Sequence, residues 1–150
     1  MFGFLFHHHD DLMHNKRKVK KWEGEHKALA QTAMTVVKHY DNNDMAKSKK
    51  HLVKLQNLAL NHLMDEDVTF FELFKKADGS DVDKEIMVSI KEFRSTFIDT
   101  KKVLIHFFIH YTDKNTVLDA HFKEQLDGII GALVERIEFE EKNLYTMINK

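Results

Sequence analysis

The residues with the clearest capacity for chemistry form two pairs in this 150-residue chain, His62 with Glu66 and Arg136 with Glu140. Residues four positions apart share one face of an α-helix, so the two members of each pair should point in the same direction. An imidazole and a carboxylate placed in this way can bind a metal ion. The second pair has a permanently charged guanidinium instead of an imidazole, and a guanidinium pairs with carboxylates rather than with metals.

The elements that must position these pairs are predicted to be helices. The chain contains no proline, and no segment shows the alternating pattern that is typical of strands. Small polar residues at 41–44, 77–81 and 112–116 separate four predicted helices, at about 16–40, 44–76, 82–111 and 116–149. The predicted N-caps of the last three helices are Asp44, Ser80 or Asp81, and Asn115 or Thr116. Each carries apolar residues at a spacing of three and four, and short connections make neighbours antiparallel. The predicted fold is an all-α, up-down-up-down four-helix bundle of residues 16–150.

Residues 1–15 are predicted to form a short N-terminal arm in front of the bundle. Its aromatic residues Phe2, Phe4 and Phe6, together with Trp22, are candidate contacts for a partner protein, because aromatic side chains are favoured interface anchors. The apolar start is shorter than that of a secretory signal, and no apolar run approaches the ~20 residues of a membrane span. We therefore expect a cytoplasmic protein without a transmembrane segment.

Composition excludes several classes of function. The 23 Lys and Arg residues nearly cancel the 24 Asp and Glu residues, which argues against nucleic-acid binding. The absence of cysteine removes thiolate ligands and cysteine nucleophiles, and no phosphate-binding loop or nucleophile elbow is present. No catalytic residue is predicted. A protein partner is expected, and a homodimer is compatible with the sequence.

Five ionisable residues occupy positions that are predicted to face the bundle core: His26, His62, Glu66, Arg136 and Glu140. Counting residues from the connections places all five at one level, where the third helix offers no ligand. An unpaired buried charge costs several kcal/mol, so these groups should pair with one another or with a bound cation.

Two further features of the sequence invite a structural interpretation. His106 and His110 have metal-binding spacing on one helix and lie at the same predicted end as His121, so they form a second candidate metal cluster. Scattered, half-exposed histidines are the simpler alternative. Gly128 and Gly131 lie inside the fourth predicted helix, where their cost suggests that another backbone approaches closely.

Three segments resemble the hemerythrin-like cation-binding domain: 22–29, 62–71 with Asp78 and Gly79 after it, and 136–145. Members of that family are four-helix proteins. They bind two iron ions through a His on the first helix, His-x-x-x-Glu on the second, His on the third and His-x-x-x-Glu or Asp on the fourth. The resemblance implies iron as cofactor, and it puts His26, His62, Glu66 and Glu140 at ligand positions. Arg136 replaces the fourth-helix His and the third-helix His is missing, so a complete di-iron centre is not expected.

Part of the fourth helix, residues 126–136 continuing through 140–142, also resembles the regulator-of-sigma-D (AlgQ-type) family. Those bacterial four-helix proteins bind the sigma-70 subunit of RNA polymerase. This resemblance implies an anti-sigma role that needs no metal.

Two interpretations of the centre follow. In the favoured one the metal centre is degenerate: Arg136 pairs with Glu66 and Glu140 in a core ion network, and the protein is a non-enzymatic binding or regulatory protein. In the alternative, His26, His62, Glu66 and Glu140 hold iron or zinc, and the protein senses dioxygen, nitric oxide or redox state. Repulsion between a guanidinium and a metal ion favours the first interpretation.

Overall fold

The computed structural model describes the backbone of residues 2–76 and 81–148, and the side chains of residues 16–72, 84–85 and 87–146. Its helices are α1 (Phe2–Asp41), α2 (Met45–Lys76), α3 (Asp81–Thr112) and α4 (Ala120–Phe139). A π-helical turn (Glu140–Leu144) and a last α-helical turn, α5 (Tyr145–Ile148), follow α4 without a break in the helical backbone. The predicted all-α four-helix bundle is confirmed. No helix in this described part is both long enough and apolar enough to cross a membrane.

The first helix is longer than predicted, since α1 begins at Phe2 rather than near residue 16. The backbone of the predicted N-terminal arm is therefore helical and continuous with α1. The side chains of Phe2, Phe4 and Phe6 lie outside the described residues. Their role as partner contacts, and the boundary between arm and bundle, stay predictions.

Polar residues at the helix ends set the two described connections. Asn43 turns the chain with a left-handed φ of 59°, a conformation that asparagine tolerates. Asp44 then caps α2, as predicted, because its carboxylate accepts the backbone N–H of Lys47 at 3.1 Å. The start of α4 was predicted near residue 116 and lies instead at Ala120. The reason is Asp119, whose carboxylate accepts the backbone N–H of Phe122 at 2.9 Å.

The core consists of two apolar clusters with a charged layer between them. One cluster lies toward the α1–α2 connection and includes Leu29, Leu55 and Leu133. The other includes Trp22, Phe70, Phe93, Leu144 and Tyr145. Between them lie the five residues that we call the polar layer, each no more than 5% exposed: His26, His62, Glu66, Arg136 and Glu140.

Trp22 belongs to the core of the bundle rather than to its surface. Its side chain is 0% exposed and packs against the rings of Phe70 and Tyr145. The indole N–H donates to the Asp65 carboxylate at 2.8 Å. The predicted role of Trp22 as a partner contact does not fit this burial.

The two glycines of α4 have no packing role in the described structure. Gly128 and Gly131 are exposed, and no atom lies within 4 Å of the position that a Cβ would take at either residue. The predicted close approach of another backbone is therefore wrong, because both glycines lie on the solvent-facing side of the helix.

Candidate metal centre

Helix packing brings the imidazoles and carboxylates of the polar layer together. The α1 helix supplies His26, α2 supplies His62 and Glu66, and the π-helical turn supplies Glu140. One potential ligand atom from each of these four residues lies within 4.8 Å of the other three. The two Nε2 atoms of the histidines are only 3.1 Å apart. The residues predicted to lie at one level of the bundle are thus in direct contact.

A carboxylate outside the layer orients each imidazole. Glu25 lies 2.8 Å from Nδ1 of His62, and Glu141 lies 2.9 Å from Nδ1 of His26. A carboxylate accepts a hydrogen bond from the Nδ1–H group, which leaves the lone pair of Nε2 directed into the layer. Histidines that bind metals are typically held in this way.

This arrangement leaves the layer short of protons. Both Nε2 atoms face Glu140 Oε2, at 3.2 Å from His26 and 3.7 Å from His62. These atoms are all acceptors while the Nδ1 atoms carry the imidazole protons, so the metal-free layer needs an additional proton. The pKa of His62 reflects this need. Burial acts to lower that pKa, but the neighbouring carboxylates of Glu140 and Glu66 favour the protonated imidazole, outweigh burial and raise the pKa to about 10.

The two buried glutamates differ in acidity. Burial and the negative charge of Glu140 raise the pKa of Glu66. Burial acts in the same direction on Glu140, but hydrogen bonds within the layer and the charge of Arg136 hold its pKa well below the usual range. In the metal-free protein Glu140 is therefore the more strongly ionised member of the pair.

Arg136 spans both glutamates from the α4 side. Its Nε donates to Glu140 Oε1 at 3.1 Å, and one terminal nitrogen, Nη2, lies 3.6 Å from Glu66 Oε1. The guanidinium carbon lies 4.6 Å from the centroid of the Phe93 ring, which α3 contributes at this level. Arg136 and Phe93 thus occupy the side of the layer where further ligands from α3 and α4 would stand.

Sequence reasoning missed Tyr145, whose hydroxyl reaches into the centre of the layer. Its oxygen lies 2.6 Å from Glu66 Oε2, 2.8 Å from Glu140 Oε2 and 3.2 Å from His26 Nε2. A regular helix would put Leu144 on the face of Glu140. The π-helical turn puts Tyr145 there instead, as its backbone N–H donates to the Glu140 carbonyl five residues earlier.

The second predicted metal cluster is not formed. His106, His110 and His121 are all exposed, and His121 hydrogen-bonds with Gln125 of its own helix at 3.1 Å. Within the described side chains there is one group of three or more close potential ligands. It consists of the four polar-layer residues other than Arg136. His106 and His110 lie on α3 and His121 lies on α4, and all three side chains are exposed to solvent.

The donor atoms of the polar layer fit a single metal ion. Two imidazole nitrogens and two carboxylates suit iron or zinc. Glu66 Oε1 supports this fit, because it is buried without a hydrogen-bond partner, although it lies 3.1 Å from His62 Nε2 and 3.6 Å from Arg136 Nη2. Neither nitrogen hydrogen-bonds to this oxygen, so its lone pairs stay available for a cation. Among the described side chains no second group of three or more close potential ligands is found, and Arg136 and Phe93 lie on the side of the layer that faces α3 and α4.

Comparison with known protein families agrees with this geometry. The profile of the family described as "Hemerythrin HHE cation binding domain" matches residues 17–148, which include the whole polar layer and Tyr145. No curated protein and no solved structure matches the chain. Because the family profile covers nearly the entire sequence, the chain belongs to the hemerythrin HHE cation-binding domain family.

Proposed function

We propose that this chain is a hemerythrin-like protein that binds one transition-metal ion, iron or zinc, through His26, His62, Glu66 and Glu140. The observation that carries the proposal is the support of the two imidazoles. Each has an outer carboxylate on Nδ1 and directs Nε2 toward buried glutamates. This arrangement leaves both Nε2 atoms ready to bind a cation. Orienting two buried imidazoles in this way would add nothing to the packing of an apolar core.

The charge of the layer argues for one ion instead of two. A guanidinium and a divalent ion 5 Å apart repel by about 7 kcal/mol at an effective dielectric constant of 20. Arg136 already faces Oε1 of both glutamates, so a cation is best placed on the histidine side. With neutral imidazoles, the layer has two carboxylates and one guanidinium, a net charge of minus one. A divalent ion reverses this charge, and the nearby carboxylates of Glu25 and Glu141 offset it.

Each part of the site has a distinct role in this proposal. His26 and His62 bind the metal ion through Nε2. Glu141 and Glu25 accept hydrogen bonds from the Nδ1–H groups of these two histidines. The apolar cluster around Trp22 excludes water from one side of the site. Iron bound there would supply one-electron redox chemistry or a position for dioxygen or nitric oxide. Sensing of such a molecule is the corresponding biological role.

A second candidate function is a metal-free binding or regulatory protein without enzymatic activity. The burial of Arg136 favours it, because a guanidinium 3% exposed that spans both glutamates can supply the cation that relatives bind. In this state a proton on the histidine pair replaces the metal. The expected protein partner, of which the sigma-70 subunit is one candidate, belongs to this second function and stays a prediction.

Metal analysis of the tag-free chain separates the two functions. After reconstitution with Fe(II) or Zn(II) and gel filtration, we expect about one equivalent of metal per chain, and almost none in His62→Ala. The matched control is His51→Ala on the same helix, whose Nδ1 lies 2.9 Å from the backbone carbonyl of Lys47 and outside the layer. This control removes one histidine from the total of 11 without touching the site. Two equivalents would contradict a single-ion site, and none would favour the metal-free function.

A further inference from the structure

We propose that Tyr145 is a fifth ligand, which binds ferric iron through its phenolate oxygen. This inference rests on the proposed function, because it concerns the same ion. It also goes further, since it selects one metal and one oxidation state. The phenol comes from a residue type that is not among the four ligands inferred from the family pattern.

The position of the phenol oxygen is the first argument. It lies within 3.2 Å of ligand atoms from three residues, Glu66, Glu140 and His26. The side chain is 2% exposed, so the oxygen is as deeply placed in the layer as the ligands themselves. A cation held by these three residues necessarily lies close to the tyrosine.

The number of available protons is the second argument. A phenol has one proton to donate, yet three acceptor atoms surround this oxygen. The shortest contact, 2.6 Å to Glu66 Oε2, takes that proton and leaves Glu140 Oε2 at 2.8 Å without one from the phenol. In the loaded protein a metal ion takes the place of the additional proton of the metal-free layer and relieves this crowding, because the oxygen and nitrogen lone pairs then share one positive partner.

The backbone is the third argument. The π-helical turn between Glu140 and Leu144 widens the helix at one place, and it is this turn that puts Tyr145 into the layer. Such turns are rare and occur frequently at functional sites. Stacking on His26 fixes the orientation of the Tyr145 ring, with 13° between the two ring planes and 5.7 Å between the ring centroids. The oxygen is thus fixed before any ion arrives.

The resulting donor set favours ferric iron over zinc. Two nitrogens and three oxygens give five donors, whereas zinc prefers four donors in tetrahedral arrangement. On binding, the phenol O–H bond breaks, an iron–oxygen bond forms, and the proton passes to a buffer base. No electron is transferred when iron enters as Fe(III).

Visible absorption of the ferric protein tests this ligand directly. Metal-free full-length chain is titrated with ferric nitrilotriacetate, and bound iron is measured in the same samples. We expect a visible charge-transfer band in the wild type, since phenolate gives such a band with Fe(III) and carboxylate does not. Tyr145→Phe should retain about one iron per chain and lose the band. Tyr111→Phe is the control, because Tyr111 is a buried tyrosine of the other apolar cluster; it should keep the band.

The outcomes separate this inference from the proposed function. One iron without a visible band in the wild type overturns the phenolate ligand and leaves the metal site intact. A band that survives in Tyr145→Phe overturns it as well. Failure to bind ferric iron overturns the phenolate ligand alone, because zinc or Fe(II) bound in the metal analysis would still support the four-residue site. If Tyr145→Phe does not fold, resonance Raman spectra of the wild type decide. Excitation in the band must enhance phenolate ring vibrations, and their absence would refute the ligand.

Discussion

At the scale of single residues, Arg136 supplies the permanent positive charge of the polar layer. It is buried, it contacts both glutamates, and its guanidinium packs on Phe93. A buried carboxylate pair without a cation is unstable, so the metal-free protein depends on this side chain. A metal ion and Arg136 therefore compete in part for the same negative charge.

The variant Arg136→Gln tests this competition. Removing the guanidinium leaves two buried acids without their permanent cation, so the free energy of unfolding in EDTA should fall by about 3–5 kcal/mol. Zinc should then stabilise the variant more than it stabilises the wild type. The measurement is urea unfolding with EDTA and with zinc, and Arg94→Gln at an exposed site of α3 is the control. Equal stabilisation of variant and wild type by zinc would show that Arg136 and the ion do not compete.

Helical spacing and distance from the connections were sufficient to place the five ionisable residues at one level, because both are regular quantities. The family resemblance then put four of these residues at ligand positions. The sequence was not sufficient to find Tyr145. In a regular α-helix the residue that shares a face with Glu140 is Leu144, four positions later. The outer carboxylates Glu25 and Glu141 were missed for a different reason. Each is next to a core-facing residue, and only the actual rotation of α1 and of the π-helical turn brings it to an imidazole.

At the scale of the elements, the helices follow from local signals and their exact ends do not. Asp44 caps α2 as predicted, directly after the left-handed turn at Asn43. In the last connection several polar residues compete, and Asp119 rather than Asn115 or Thr116 caps α4. The extension of α1 to Phe2 was not predicted, because residues 1–15 were interpreted as an arm in front of the bundle.

The exposed glycines of α4 offer a stabilising change. Gly131→Ala should raise the free energy of unfolding by about 0.5–1 kcal/mol, because alanine loses less backbone entropy and meets no neighbour there. Thermal unfolding should show a midpoint higher by roughly 1–4 °C. Gly24→Ala in α1, at an equally open site, should give a similar gain. A lower midpoint in Gly131→Ala would show that α4 packs against something at that position.

At the scale of the whole molecule, a layer of ionisable groups separates two apolar clusters. The global stability of the metal-free bundle must therefore depend on the proton that the layer holds. A bound metal replaces that proton, so metal-free and metal-loaded protein should respond to pH in opposite ways.

The metal-free protein should lose stability as pH rises from about 6.5 to about 10. The pKa of His62 is raised to about 10 in the folded protein from an unfolded value of 6.5. Its stabilising contribution is therefore complete below 6.5 and is lost as pH passes through the folded value. Thermal unfolding in EDTA at several pH values measures this effect, and His62→Gln should flatten the dependence. A wild-type midpoint that rises with pH across this range would contradict the protonated layer.

The burial of Trp22 has a practical consequence. It is the single tryptophan of the chain, and its ring centroid lies 6.5 Å from that of His62. An open-shell ion at this distance quenches indole emission, whereas closed-shell zinc does not. Tryptophan fluorescence of the unlabelled protein should therefore report whether the polar layer holds a metal ion, and whether that ion is open-shell or closed-shell.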